Sequence, residues 1–113
     1  QNPVQCPLIG ESMAININLK KMRQSADKAV DLMKVLGNRD RMMLLCEISQ
    51  GEKCVGELED SLDIHQPTLS QQLTVLRKKK LVKTRREGKQ IYYSGANPVA
   101  MSVMNLLYQN YCK

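Results

Sequence analysis

The chain has no tryptophan and no phenylalanine. A domain without large aromatic rings must fill its core with Leu, Val, Ile and its seven Met, which suits packed helices better than a β-sandwich. No apolar run approaches the ~20 residues of a membrane-spanning helix. The start of the chain carries Pro3, Cys6 and Pro7 but no charged n-region and no apolar h-region, so it does not read as a signal peptide. Only one histidine, His65, is present, and residues 98–113 contain no His, Asp or Glu. There is no Ser/His/Asp set, no Gly-rich phosphate loop and no paired acid site beside His65, so an enzyme is not expected. The carboxylates Glu57, Glu59, Asp60 and Asp63 read as a solvated helix face.

What is present is positive charge, concentrated in one place. Residues 77–89 hold eight Lys or Arg against one Glu, a net of +7, while the whole chain nets +6. The remainder therefore nets −1, and the field is local. At 113 residues the chain is one domain with a modest core. With no leader or membrane span, a cytoplasmic location is the expectation. Four Cys in a basic protein of that kind read as buried, metal-binding or redox-active residues.

The hydrophobic period divides the chain. Residues 1–16 look irregular, and 17–113 form the folded domain. From Leu19 onward Met22, Ala26, Ala29, Val30, Met33 and Leu36 recur at spacings of three or four, the apolar face of a helix. Gly37 is a plausible stop and Asn38 a cap for a second helix bearing Met42, Leu45, Cys46 and Ile48. Residues 56–63 form a shorter helix with Leu58 and Leu62 facing inward, and residues 63–65 a turn.

The next helix is expected over 66–79, with Pro67 in its first turn, where the missing N–H is no loss. Leu69, Leu73 and Leu76 must face the core. The opposite face then holds Ser70, Gln71, Thr74 and Lys78, edged by Thr68 and Gln72. Polar but mostly uncharged side chains suit the reading of base edges. After Leu81 the period changes to two: 82–86, a turn with Gly88, and 90–94 make a β-hairpin that carries Arg85, Arg86 and Lys89. Asn97 caps a final helix with Pro98 at its first position and Val99, Val103, Leu106, Leu107 and Tyr111 along a stripe. The order α-α-α-α-β-β-α is that of a winged helix-turn-helix, mainly α with a β-hairpin wing. The surplus apolar stripes of the first and last long helices suggest a homodimer. Such a dimer would place two recognition helices about 34 Å apart on an inverted-repeat, double-stranded DNA operator.

With Gly56-Glu-Leu, then QPTLSQQLTVLR at 66–77, Leu81-Val82 and RREGKQIYY at 85–93, the chain resembles the ArsR family of bacterial winged-helix repressors over roughly residues 22–112. The resemblance implies a DNA-binding repressor that leaves its operator when an inducer acts. It assigns Gln66, Thr68, Ser70 and Gln71 to the major groove. Arg77, Lys78, Lys83, Arg85, Arg86 and Lys89 are assigned to phosphate or the minor groove. For Gln66, capping of the helix is the other reading.

The inducer is read from the cysteines. The family's soft-metal site uses Cys-x-Cys before the helix-turn-helix, where this chain has Cys54-Val55-Gly56 and one thiolate fewer. Its other metal site uses His and carboxylates on the last helix, and here there are none. Neither a metal nor another cofactor is expected. Cys46 and Cys112 resemble the dithiol of the sulfide- and persulfide-responsive branch, in which reactive sulfur species close a disulfide or polysulfide bridge. Simple burial of the two thiols, a metal- or arsenic-responsive site built from Cys46, Cys54 and Cys112, and an inducer-free regulator that relieves silencing remain alternatives. Cys6 is read as incidental.

Overall fold

The computed structural model describes residues 18–113, so the expected irregular segment 1–16, with Cys6 and Met13, lies outside the described residues. Five α-helices and three short strands follow one another: α1 Leu19–Leu36, α2 Arg39–Ser49, β1 Lys53–Cys54, α3 Val55–Leu62, α4 Thr68–Lys78, β2 Val82–Glu87, β3 Gln90–Gly95 and α5 Pro98–Leu107. The chain ends in a π-helical turn, Tyr108–Cys112, closed by the Lys113 N–H donating to the Tyr108 carbonyl at 3.1 Å.

The helix starts follow from capping chemistry. Asn38 has extended backbone, and its Oδ1 accepts the Arg41 N–H at 3.0 Å. Asn97 Oδ1 accepts from Val99 and Ala100 at 2.9 and 3.1 Å, with Pro98 at the first helical position. Each such cap contributes about 1 kcal/mol. α3 begins one residue earlier than the spacing suggested, because the Cys54 N–H donates to Glu57 Oε1 at 2.9 Å. It ends at Asp63, whose φ of 56° turns the chain out of the helix.

Two boundaries and one strand differ from the sequence-based expectation. α4 starts at Thr68, and Pro67 stands before the helix in a turn formed with Gln66 instead of inside its first turn. β1 was not foreseen. Its two residues pair antiparallel with β3, Lys53 opposite Tyr93 and Cys54 opposite Tyr92, so the wing is a three-stranded sheet in the order β1-β3-β2. The hairpin register runs from Val82 opposite Gly95 to Glu87 opposite Gln90, and Gly88 takes the positive φ of 62° that the turn requires.

The core is built from aliphatic side chains, as the lack of large aromatics requires. Leu44, Leu45 and Ile48 of α2 meet Leu58 of α3, Leu69, Leu73 and Leu76 of α4, and Ala100 and Met104 of α5. Full burial of each large side chain stabilises the fold by about 1.5–3 kcal/mol. No polar side chain is buried among the described residues.

The last helix divides the expected stripe between two sides. Its inward face is Ala100 and Met104, with Val103 and Leu107 partly covered, whereas Val99 and Leu106 are each 61% exposed and Tyr111 is 82% exposed. α5 is apolar on two sides, which a single-stripe reading merges. On α1, Leu19, Met22, Val30 and Met33 likewise stand exposed. No helix of the described residues is long and apolar enough to cross a membrane.

Candidate nucleic-acid interface and thiol site

The buried leucines of α4 fix which side of the helix faces out. With Leu69, Leu73 and Leu76 inside, Ser70, Gln71, Thr74 and Lys78 are exposed and Thr68 is half-buried. Thr74 Oγ1 donates to the Ser70 carbonyl at 2.8 Å, which holds its methyl and hydroxyl in a defined orientation. Gln66 Oε1 accepts the Ser70 N–H at 3.1 Å. Gln66 thus serves as a cap here, while its amide NH2 remains a donor. Gln71 makes no side-chain bond among the described residues and projects freely.

Gln72, at the edge of this face, is engaged from behind. Arg41 Nη1 donates to Gln72 Oε1 at 2.9 Å, Arg41 Nε to the Val35 carbonyl at 2.7 Å and Nη2 to the Lys34 carbonyl at 3.4 Å. One guanidinium therefore joins the end of α1, the start of α2 and the recognition helix. Sequence reasoning did not single out Arg41. The only local signal was a second cation in the first turn of α2, directly before the apolar run 42–46.

The turn before α4 is closed by His65. Its Nδ1 lies 3.1 Å from Glu59 Oε2 and its Nε2 2.6 Å from Asp63 Oδ1. The bond to Glu59 first, then that to Asp63, pushes the imidazole above its ordinary pKa.

The basic residues divide into free and tethered. None of Arg77, Lys78, Lys83, Arg86 and Lys89 is in an ion pair among the described residues. Arg86 Nε has only a long contact of 3.4 Å to the Gly88 carbonyl. Arg85 is different. Its Nε donates to Glu52 Oε2 at 2.8 Å and its Nη1 to Glu87 Oε1 at 3.1 Å, and it stacks over the Tyr92 ring at 4.7 Å. The cross-strand pairing of Arg85 with Tyr92 sets up the stacking, and Glu52 arrives from the segment leading into β1. Both carboxylates hold the guanidinium more firmly protonated, Glu52 the more strongly. Neither Glu52 nor Tyr92 was foreseen.

The thiols divide in the same way. Cys54 stands at the start of α3 as its cap, and its backbone N–H holds the Glu57 carboxyl below the usual carboxylate range. The three-cysteine alternative is not assembled, since among the described residues no three His, Cys, Asp or Glu side chains gather as a metal-binding group. Cys46 on α2 and Cys112 in the terminal turn line one hollow of about 390 Å³, together with Met42, Met43, Met104 and Tyr111. Its walls are almost wholly apolar. A second hollow of about 340 Å³ also reaches Cys46, between Ser49, Gln50, Asn105 and Gln109. Burial pushes the Cys46 thiol up, and a charge on Cys112 adds to the rise, while a bond with Gln50 opposes it. Cys46 is half-buried and Cys112 exposed, and neither is in a disulfide.

Comparison with known proteins agrees with this architecture. Residues 38–84 match the arsR family of bacterial regulatory proteins. The chain is 47% identical over 113 residues to the biofilm growth-associated repressor of Agrobacterium fabrum, covering 99% of this chain and 92% of the relative. The crystal structure of the transcriptional repressor BigR from Xylella fastidiosa aligns with a TM-score of 0.77 at 43% identity, over 84% of this chain and 94% of that one. Reduced HlyU from Vibrio cholerae aligns with a TM-score of 0.81 at 36% identity, over 84% of this chain and the whole (100%) of that one. The chain therefore belongs to the arsR family, whose winged helix-turn-helix members are DNA-binding transcriptional regulators and not enzymes.

Proposed function

We propose that the chain is a homodimeric repressor. It holds an inverted-repeat operator through α4 and the wing, and it lets go when reactive sulfur species link Cys46 to Cys112. The observation that carries this reading is that the two thiols, 66 positions apart, line one hollow that Cys54 does not line.

Operator binding draws on two surfaces. The exposed polar face of α4, with Thr68, Ser70 and Gln71 and the free amide of Gln66, offers donors and acceptors to base edges in the major groove. Arg77, Lys78, Lys83, Arg86 and Lys89 carry uncompensated charge for phosphate. Arg85 joins them once its carboxylates yield it. The exposed apolar side chains of α1 and of α5, including Met22, Met33, Val99 and Leu106, supply surfaces for a two-fold partner.

The switch chemistry is an exchange of sulfur bonds. The exposed Cys112 thiolate attacks the terminal sulfur of a hydropersulfide RSSH, forming Cys112–S–SH and releasing RS⁻. The Cys46 thiolate then attacks Cys112 Sγ and expels the outer sulfur as HS⁻, leaving a Cys46–Cys112 disulfide. The two thiols lose two electrons, and the donated sulfur is reduced to sulfide. If both thiols are first persulfidated, the same displacement with loss of HS⁻ leaves a trisulfide. A link between α2 and the terminal turn pulls on α2, and Arg41 passes that movement to Gln72 on the recognition helix.

Intact-mass analysis of the reduced protein after a persulfide donor, diamide or hydrogen peroxide, with mapping of linked peptides and a parallel DNA-release assay, tests this reading. A Cys46–Cys112 link that retains extra sulfur after the persulfide donor and accompanies DNA release is expected. Absence of any link under all three reagents would return both residues to the role of packing side chains.

A further inference from the structure

The hollow that holds the two thiols is also rich in thioethers. Five of its lining side chains carry sulfur: Met42, Met43, Cys46, Met104 and Cys112. They reach it by helical spacing. Met42 and Met43 lie four and three residues before Cys46 on α2, and Met104 lies about two turns before Cys112 across α5 and the terminal turn. The remaining lining is Leu107, Tyr108 and Tyr111, with no carboxylate and no imidazole.

This donor set selects a class of ion. Calcium and magnesium need several oxygen ligands, which the walls lack. Zinc sites are closed by four thiolate, imidazole or carboxylate ligands, and only two such groups are present. Soft d¹⁰ monovalent ions accept thiolates and thioethers together. Methionine's flexible side chain lets the thioethers adjust around an ion without backbone movement.

We propose that this hollow binds one soft monovalent ion, copper(I) in chemical class, ligated by Cys46 and Cys112 and supported by thioethers of Met42, Met43 and Met104. Each thiol that ligates releases a proton, and no electron is transferred. The site does not depend on the sulfur-switch reading, because the same thiols serve as ligands whether or not they ever become bridged.

The reduced 113-residue chain, carrying Cys6→Ser and Cys54→Ser, is titrated anaerobically with copper(I) against a chromophoric copper(I) chelator. One equivalent per chain with a sulfur-only shell by X-ray absorption is expected, and zinc(II) should not displace it. Loss of a group that only hydrogen-bonds a metal ligand costs ~10–100-fold in metal affinity, so removing the two thiolate ligands with Cys46→Ser and Cys112→Ser should cost at least ~100-fold. Met42→Leu with Met43→Leu should cost about tenfold, with both thiols still open to alkylation and circular dichroism unchanged. Undiminished affinity in either double variant, a shell of nitrogen or oxygen, or displacement by zinc overturns the proposal. The mapping of sulfur-linked peptides is a separate readout, so the two readings fail independently.

Discussion

Arg41 on α2 donates from Nη1 to Gln72 Oε1 on α4 at 2.9 Å, while its Nε holds the Val35 carbonyl at the end of α1 at 2.7 Å. A single half-buried guanidinium thus sets where the recognition helix lies against the helix that carries Cys46. Hydrogen bonds from a charged donor contribute about 1.5–3 kcal/mol each in such settings, though several on one group are not additive. Arg41→Ala should destabilise the domain by roughly 2–3 kcal/mol in urea unfolding. Arg41→Lys should recover only part of this, because an ammonium cannot span three acceptors in one plane. Gln72→Ala should leave most of the stability intact and weaken operator binding, which a gel-shift titration would detect.

Base reading and charge separate by competitor and by salt. Gln71→Ala should cost about 1–3 kcal/mol on the operator and little on random DNA. Arg86→Ala, which removes an unpaired wing cation, should weaken both and flatten the dependence of log K on log salt by about 1. Equal losses on operator and random DNA for Gln71→Ala would remove it from the base-reading set.

Much of this site was written in local pattern. Leu69, Leu73 and Leu76 at helical spacing fixed the inner face of α4 and so its outer face, and Asn38 and Asn97 announced their helices by type and position. What was illegible depends on distant partners. Lys53 and Cys54 have no strand signature of their own and become a strand only because β3 offers a free edge. Val99 and Leu106 were read in the surplus stripe of α5, but Ala100 and Met104, which make its core contact, were not named, since an apolar helix side that a partner would cover has the same period as one the core covers. Arg85 was counted as a phosphate contact, and nothing in the sequence near it points to Glu52, 33 positions away.

That tether has a consequence for DNA affinity. Glu52 and Glu87 offset the charge of Arg85, and any phosphate must compete with them for the guanidinium. Glu52→Gln keeps the size of the side chain and removes the charge. It should raise affinity for random DNA and steepen the salt dependence by up to ~0.9, the increment for one further phosphate contact. Glu52→Gln combined with Arg85→Ala should lose that gain. An unchanged salt slope in Glu52→Gln would mean that Arg85 stays tethered to Glu87 in the complex.

His65 gives the turn before α4 a pH dependence of definite sign. Glu59, then Asp63, raises its folded pKa above the ordinary imidazole value of about 6.5. Stabilisation from the charged ring is therefore complete below that ordinary value and is lost as pH rises through the raised one. Thermal unfolding followed from pH 5.5 to pH 8.5 should show the parent losing stability relative to His65→Gln across that window. The difference should shrink in Glu59→Gln, since the largest contributor to the shift is then gone. A parent and a His65→Gln variant that run parallel over the whole range would mean that both carboxylate contacts are lost in solution.

The thiols should report on each other through the same kind of linkage. Cys46 is raised chiefly by burial and next by the charge of Cys112, so its thiolate is scarce at neutral pH. Cys112 is exposed and should be alkylated first by iodoacetamide at pH 7.5. In Cys112→Ser the repelling charge is absent and burial remains. The apparent pKa of Cys46, taken from its alkylation rate against pH by peptide mass spectrometry, should fall, though not below the ordinary thiol value. Gln50→Ala should move it the other way, because the bond that favours the thiolate is lost. If Cys112→Ser leaves the Cys46 profile where it was, the two sulfurs do not share an electrostatic environment in solution. A direct exchange between them across the hollow would then lose its basis, whatever the alkylation order.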